Sequence, residues 1–188
     1  MKVLLSAVLL TMFFSTEVTA RDVAGVKLAE QIEVNGTSLQ LNGAGVRTKF
    51  FFKIYTGALY LPKPARSSKQ VYAQADAWRV SMHFLYDEVT KEKLISAWDD
   101  GFESNADDEV LKSLRPRIDV FNNLFVAAHK GDVIDIDYQP TTGTIVTMNG
   151  KVQGQIEGED FQQAVLRIWL GEVPADESLK EGMLGASE

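Results

Sequence analysis

Arg47, Tyr55 and Tyr86 are the side chains whose types and positions could do chemistry on a small anion. An arginine stays charged at any working pH and can grip a carboxylate or phenolate through two parallel hydrogen bonds. Each tyrosine offers one phenol donor to the same anion or to a water beside it. Arg47 follows the glycine-rich run Asn42-Gly-Ala-Gly-Val and precedes Phe50 to Leu61, an apolar, aromatic and β-branched segment whose sole charge is Lys53. That composition reads as a strand buried on both faces, since Ile54, Thr56 and Gly57 weaken a helix. A lone guanidinium at the mouth of such a strand is either a rim residue paired with a surface acid or an anion receptor. The residues by themselves leave both open.

Other chemistries find less support. The chain has two histidines, His83 and His129, and no cysteine. Zinc-thiolate sites, iron–sulfur clusters and cysteine nucleophiles are therefore excluded, and a histidine metal site lacks identifiable carboxylate partners. Asp132, Asp135 and Asp137 lack the glycine and the distal glutamate of a calcium loop. They read as a strand whose acids are solvated, useful for blocking a sheet edge. Gly43-Ala44-Gly45 lacks the lysine of a phosphate loop, and no serine-hydrolase elbow occurs. The acids from Asp99 to Glu109 span a helix end and a helix start, where they favour the dipole. No metal or cofactor is implied.

The first twenty residues read as a secretory signal. Lys2 is the positive start, Val3 to Phe14 the apolar stretch, and Val18-Thr19-Ala20 the cleavage site. The apolar run is shorter than the roughly 18 residues of a membrane span, and no later segment qualifies. Residues 21–188 amount to one domain with room for a sizeable core. Losing the signal removes Lys2 and Glu17, so the net charge stays at −7. Without a basic stripe, that charge argues against nucleic acid and anionic lipid surfaces. Export would permit disulfides the chain does not use, so packing must supply its stability. A bacterial periplasm is the compartment that fits.

In chain order, Val26 to Val34 is a strand, Asn35-Gly36 a hairpin turn and Thr37 to Leu41 the return. Pro62-Lys63-Pro64 stops the central strand, and a short helix follows from Ser68 to Ala75. Trp78 to Tyr86 is a strand with Trp78, Val80, Met82, Phe84 and Tyr86 on one face. Thr90 to Phe102 is a helix with Leu94, Ile95, Trp98 and Phe102 along one stripe. Asp107 to Val126 carries Val110, Leu114, Ile118, Phe121 and Phe125, with a kink or fresh start expected at Pro116. Strands return over Gly131 to Tyr138, Gly143 to Met148 and, past Asn149-Gly150, Lys151 to Ile156. A helix around Phe161 to Trp169 stops at Gly171 and Pro174, and a short one covers Asp176 to Met183. The order suits an α+β architecture, a sheet packed on one face by helices.

The run Asn42-Gly-Ala-Gly-Val-Arg47 with Lys53-Ile-Tyr-Thr-Gly-Ala-Leu-Tyr-Leu61 resembles the signature of the chalcone-isomerase-like family. So do Tyr86 ahead of a helix bearing Trp98, the Gly131-Asp132 strand, and Ile168-Trp169-Leu170-Gly171 with Pro174, Leu179-Lys180 and Leu184-Gly185. The chain is most similar to the bacterial, exported branch, over essentially all of residues 21–188. The resemblance implies an open-faced β-sandwich, an antiparallel sheet with a helical layer and a ligand cleft between them. In plant chalcone isomerase an arginine after Gly-Ala-Gly holds the anionic oxygen, matching Arg47. A tyrosine before the first long helix, matching Tyr86, orders a water at the ketone. The enzyme's strand threonine aligns with Tyr55, a bulkier phenol, and its active-site asparagine falls near Glu92 or Lys93, neither of them an amide. Plant fatty-acid-binding relatives carry a tyrosine with the arginine and bind a carboxylate.

The resemblance therefore implies a non-catalytic, exported protein that binds a small amphipathic carboxylate such as a fatty acid. Arg47 would hold the head group, Tyr55 and Tyr86 would assist, and the strand and helix aromatics would line the tail cavity. The alternative is an isomerase of the intramolecular-lyase type, with Arg47 and Tyr86 acting on an enone and phenolate. A partner-binding protein with an empty cleft is a third reading. One geometric obstacle stands out. Arg47 and Tyr55 are eight residues apart, roughly 26 Å along an unbroken strand. They meet only if the chain turns between them, for which Gly45 or Thr48-Lys49 is placed; Arg47 and Tyr86 are the pair expected to converge.

Overall fold

Positive φ at Asn35-Gly36 and at Asn149-Gly150 closes two tight hairpins where the sequence places them. The computed structural model describes residues 20–74 and 76–186. Apart from Ala20, the expected signal segment 1–20 lies outside the described residues. In chain order the elements are β1 (Ala20–Val23), β2 (Val26–Ala29), β3 (Gln31–Val34), β4 (Thr37–Lys49), β5 (Phe52–Leu61), α1 (Ser68–Gln74), β6 (Trp78–Phe84) and β7 (Glu88–Val89). They continue with α2 (Lys91–Glu103), α3 (Asp108–Asn123), β8 (Ala128–His129), β9 (Val133–Gln139), β10 (Gly143–Met148), β11 (Lys151–Ile156), α4 (Glu159–Leu170) and α5 (Glu177–Met183).

Seven strands form one antiparallel sheet in the order β11-β10-β9-β6-β5-β4-β3. The sheet is curled, and helices cover its concave side, giving the α+β architecture expected. Alternation along β5 sends Tyr55, Leu59 and Leu61 into the large core under α2, α3 and α4. Ala58 and Tyr60 point the other way, into a smaller core with Leu28, Leu39 and Leu41 beneath the β1–β2 ribbon. β5 is thus buried on both faces from Tyr55 onward.

Helix starts follow their caps. The Thr90 hydroxyl accepts from the Lys93 amide at the head of α2, and Asp107 accepts from Val110 at the head of α3. Asp108 and Glu109 fill the first turn of α3, so part of the acidic cluster serves the helix dipole. α3 runs unbroken through Pro116, where a kink or restart was expected. Pro116 and Lys112 both stand on its exposed face, so the carbonyl deprived of its helical donor faces solvent.

Several expectations change. The strand read as Val26 to Val34 is two, β2 and β3, separated at Glu30. The glycine-rich approach to Arg47 is itself strand, because β4 continues through it to Lys49. Phe50 and Phe51 are not buried strand but a hairpin tip. Phe50, Phe51 and Phe52 are 79%, 99% and 57% exposed. Val110 is exposed too. Asp135 and Asp137 do not guard an edge: β9 lies inside the sheet, and Asp137 is buried against Arg79 with side-chain bonds of 2.6 and 2.7 Å. Their pairing is long-range, which local spacing does not reveal.

Candidate functional site

The Asn42-to-Arg47 run is almost entirely used up by packing. Asn42 sits at a register irregularity in β4, where its side-chain amide donates to the Ala65 and Met183 carbonyls and accepts from the Ala65 amide, at 2.7–2.9 Å. Gly43 and Gly45 clear space for α5. A Cβ on Gly43 would lie 2.2 Å from the Gly182 carbonyl oxygen and 2.8 Å from that of Met183. Arg47 is the exception. It is half-buried, and among the described residues it has neither a salt bridge nor a side-chain hydrogen bond.

The turn at Phe50-Phe51 removes the distance problem. Folding back there places Tyr55 directly across the ladder from Arg47, with an irregularity between Arg47 and Thr48. The guanidinium carbon stands 5.8 Å from the Tyr55 ring centre, a cation–π contact. The turn lies two residues beyond the Thr48-Lys49 position anticipated. A second tie comes from α5, where Asp176 caps the helix by accepting from Leu179 and also accepts from the Thr48 amide at 2.9 Å. Burial pushes the Asp176 carboxyl up, but bonds from the Ser178 hydroxyl and from the Thr48 and Leu179 amides outweigh it, leaving the group below its usual 3.8.

Arg47 and Tyr86 share the wall of one cleft of about 700 Å³, within the ordinary ligand-site range of about 300–1,000 Å³. The β4–β5 hairpin supplies Lys49, Phe52 and Ile54; α2 supplies Glu92, Lys93, Ala97 and Asp100; the loop after α4 supplies Val173, Pro174 and Ala175. Tyr86 is positioned by its amide, which donates to the Ile54 carbonyl at 3.2 Å, and by an edge-on contact with Phe52 at 5.4 Å. Among the described residues its hydroxyl has no hydrogen-bond partner. Glu92 and Lys93, the two candidates for the asparagine position, both face the cleft.

Tyr55 is placed differently. It is 2% exposed, forms the floor beneath Arg47, and its hydroxyl accepts from the Trp169 indole at 3.0 Å. Burial raises its phenol above the usual 10, against the opposing pull of the Arg47 charge and the Trp169 bond. The phenol stays neutral, and its ring rather than its oxygen meets Arg47. Trp169 escaped the sequence reading as a site-supporting residue; on a helical stripe it looks like any core aromatic.

The core aromatics do not line a tail cavity. Trp98 packs at 5.2 Å on Phe125, 5.8 Å on Phe121 and 5.7 Å on Trp169, and all four are buried. The interior is filled, and space for a guest lies outside that cluster. A wider depression of about 1080 Å³ opens on the opposite side of β4. Two of its cations are already engaged, Arg21 by Glu30 and Arg66 by the Leu184 and Gly185 carbonyls. Arg47 makes the smaller cleft the stronger candidate for an anion. His83, away from both, bonds Ser81 at 3.1 Å on the outer face, and no group of acids and histidines suited to a metal occurs among the described residues.

Comparisons with known proteins agree with this architecture. A crystal structure of an Arabidopsis thaliana fatty-acid binding protein superposes with a TM-score of 0.69 at 15% identity, covering 89% of this chain and 96% of that one. No curated protein sequence matches. The family described as chalcone isomerase-like matches residues 20–185. Spanning the sheet, the helical layer and the cleft between them, that match makes the chain a member of the chalcone isomerase-like family.

Proposed function

We propose that this protein is an exported, periplasmic and non-catalytic carrier of a small amphipathic carboxylate such as a fatty acid. One observation carries the reading: a half-buried guanidinium with no acidic partner among the described residues, at the wall of a cleft with an apolar side. Arg47 receives the carboxylate through two charge-assisted hydrogen bonds. The Tyr86 hydroxyl donates a third, and the Tyr55 ring holds the guanidinium in place from below. The tail lies along Phe52, Ile54, Val89, Ala97, Val173 and Pro174 rather than in the filled interior. Lys49 and Lys93 offset the field of Glu88, Glu92 and Asp100 around the same rim. The fold shared with a fatty-acid binding protein supports the ligand class.

The positions that differ from the plant isomerases favour binding over turnover. Tyr55 directs its hydroxyl to Trp169, not into the cleft, and Glu92 and Lys93 supply no amide. The test is native mass spectrometry of protein recovered from its own periplasm, followed by organic extraction. A carboxylate that co-purifies with the protein and is lost in Arg47→Ala supports the proposal. Equal ligand occupancy in Arg47→Ala, or turnover of a hydroxylated chalcone abolished by that change, overturns it.

A further inference from the structure

The β4–β5 hairpin ends in an arrangement that packing does not explain. Phe50 and Phe51 occupy the turn with φ of +56° and +130°, a region that costs a bulky side chain energy. Three other turns pair their positive-φ residue with a glycine, in Ala24-Gly25, Asn35-Gly36 and Asn149-Gly150, and the β9–β10 turn holds Thr141 at φ +71°. Among the described residues, only at the β4–β5 tip does the chain place two aromatics at positive φ and leave them in solvent, beside a third, Phe52. Strain and exposure together at one point indicate selection for something other than stability.

Charge surrounds the aromatics. Residues 47–53 hold three cations, Arg47, Lys49 and Lys53, and no acid. Lys49 pairs across the ribbon with Phe52 and faces the cleft, whereas Lys53 pairs with Thr48 and faces the opposite side. The tip is therefore apolar at its end with a cation on each flank just behind. Aromatic rings seat at the headgroup boundary of a bilayer while lysines reach its phosphates, so this order along the hairpin matches the order of layers in a membrane surface. A folded protein partner fits less well. The tip is convex and three side chains wide, far short of the roughly 20–30 residues a side of a stable protein interface. The overall charge of −7 opposes approach to anionic lipid, but it is screened beyond about 8 Å in physiological salt, and the contact itself is cationic.

We infer that the Phe50–Phe52 tip docks the protein on a phospholipid bilayer by inserting its aromatic side chains into the interface. Phe50 and Phe52 also line the cleft, so docking brings the cleft mouth to the lipid surface. This extends the carboxylate-carrier reading by naming where the ligand is collected or delivered, while the docking itself requires no ligand.

The test uses the chain from Ala20 onward, which carries both hydrophobic cores, and vesicles of phosphatidylcholine with about one quarter phosphatidylglycerol. The native tryptophans Trp78, Trp98 and Trp169 are buried at 3%, 3% and 1% exposure, so Phe51→Trp adds the single exposed reporter. Its emission should shift to the blue on adding vesicles and be quenched by brominated acyl chains. A second variant, Phe50→Asn with Phe51→Gly, installs a relaxed turn. It should melt at the same or a higher temperature yet bind vesicles more weakly by more than about tenfold, the worth of one buried aromatic. An unmoved reporter, undiminished vesicle binding by the relaxed-turn variant, or a blue shift that grows with protein concentration without vesicles overturns the inference; the last would assign the tip to a second copy. Fatty-acid binding measured without vesicles is scored separately, so failure of either reading is visible by itself.

Discussion

The Trp169 indole donates to the Tyr55 hydroxyl across 3.0 Å of buried space, tying α4 to β5 directly beneath Arg47. Tyr55→Phe keeps the ring under the guanidinium but leaves the indole N–H without its acceptor. The expected cost is about 1–3 kcal/mol of stability, seen in urea denaturation, with carboxylate affinity little changed. Unchanged stability would show that the indole finds another acceptor and that the bond is dispensable.

Gly43 meets α5 backbone to backbone, so Gly43→Ala cannot be absorbed by a side-chain rotation. The added methyl must push α5 away from β4, at a cost of about 1–3 kcal/mol or more. Because Asp176 at the head of α5 also holds the Thr48 amide, the shift should disturb the Arg47 hairpin and weaken ligand binding together with the melting temperature. A variant that melts normally would refute the close approach.

Arg79 neutralises two acids on the outer face of the sheet, Asp137 at 2.6 Å and Asp135 at 3.5 Å. Burial raises the Asp137 carboxyl above its usual 3.8 even with Arg79 beside it. Arg79→Leu leaves that charge buried and unpaired, at a cost of about 3–5 kcal/mol near neutral pH. A raised folded-state pKa means the folded protein holds the proton more tightly, so this variant should regain stability as pH falls and Asp137 protonates. Equal destabilisation at pH 7 and pH 4.5 would argue against an orphaned carboxylate as the cause.

His83 gives the opposite slope. Burial lowers its pKa below the usual 6.5, against the pull of Asp135. The unfolded chain then binds the proton first, so this contribution is full above about pH 6.5 and is lost as pH falls through the folded-state value. Stability should decline between pH 7 and pH 5.5, and His83→Gln should flatten the decline. A slope that survives the substitution would place its origin elsewhere.

How much of this was legible depended on whether the determining interaction is local. The Asn35-Gly36 and Asn149-Gly150 turns and the bounds of β10 and β11 follow from neighbouring residues, and the sequence reading found each; it also began the two long helices at Thr90 and Asp107, the residues that cap them. Arg47 and Tyr86 both line one cleft. What local pattern could not supply was partnership across the fold. Asp137 looked solvated because Arg79 is 58 positions away in the chain. Trp169 looked like ordinary core because its acceptor lies on another element. Phe50 to Phe52 looked buried because composition cannot distinguish an aromatic strand from an aromatic tip, and the turn there carries neither glycine nor asparagine.

The filled aromatic interior bears on timing. Trp98 packs against Phe121, Phe125 and Trp169, all of them buried, so among the described residues this part of the interior is taken up by side chains. A molecule held at Arg47 keeps one side toward water throughout its stay, and its departure requires no breathing of the core. On the proposed reading, dwell time would then be set by a handful of rim contacts, which favours quick exchange over storage.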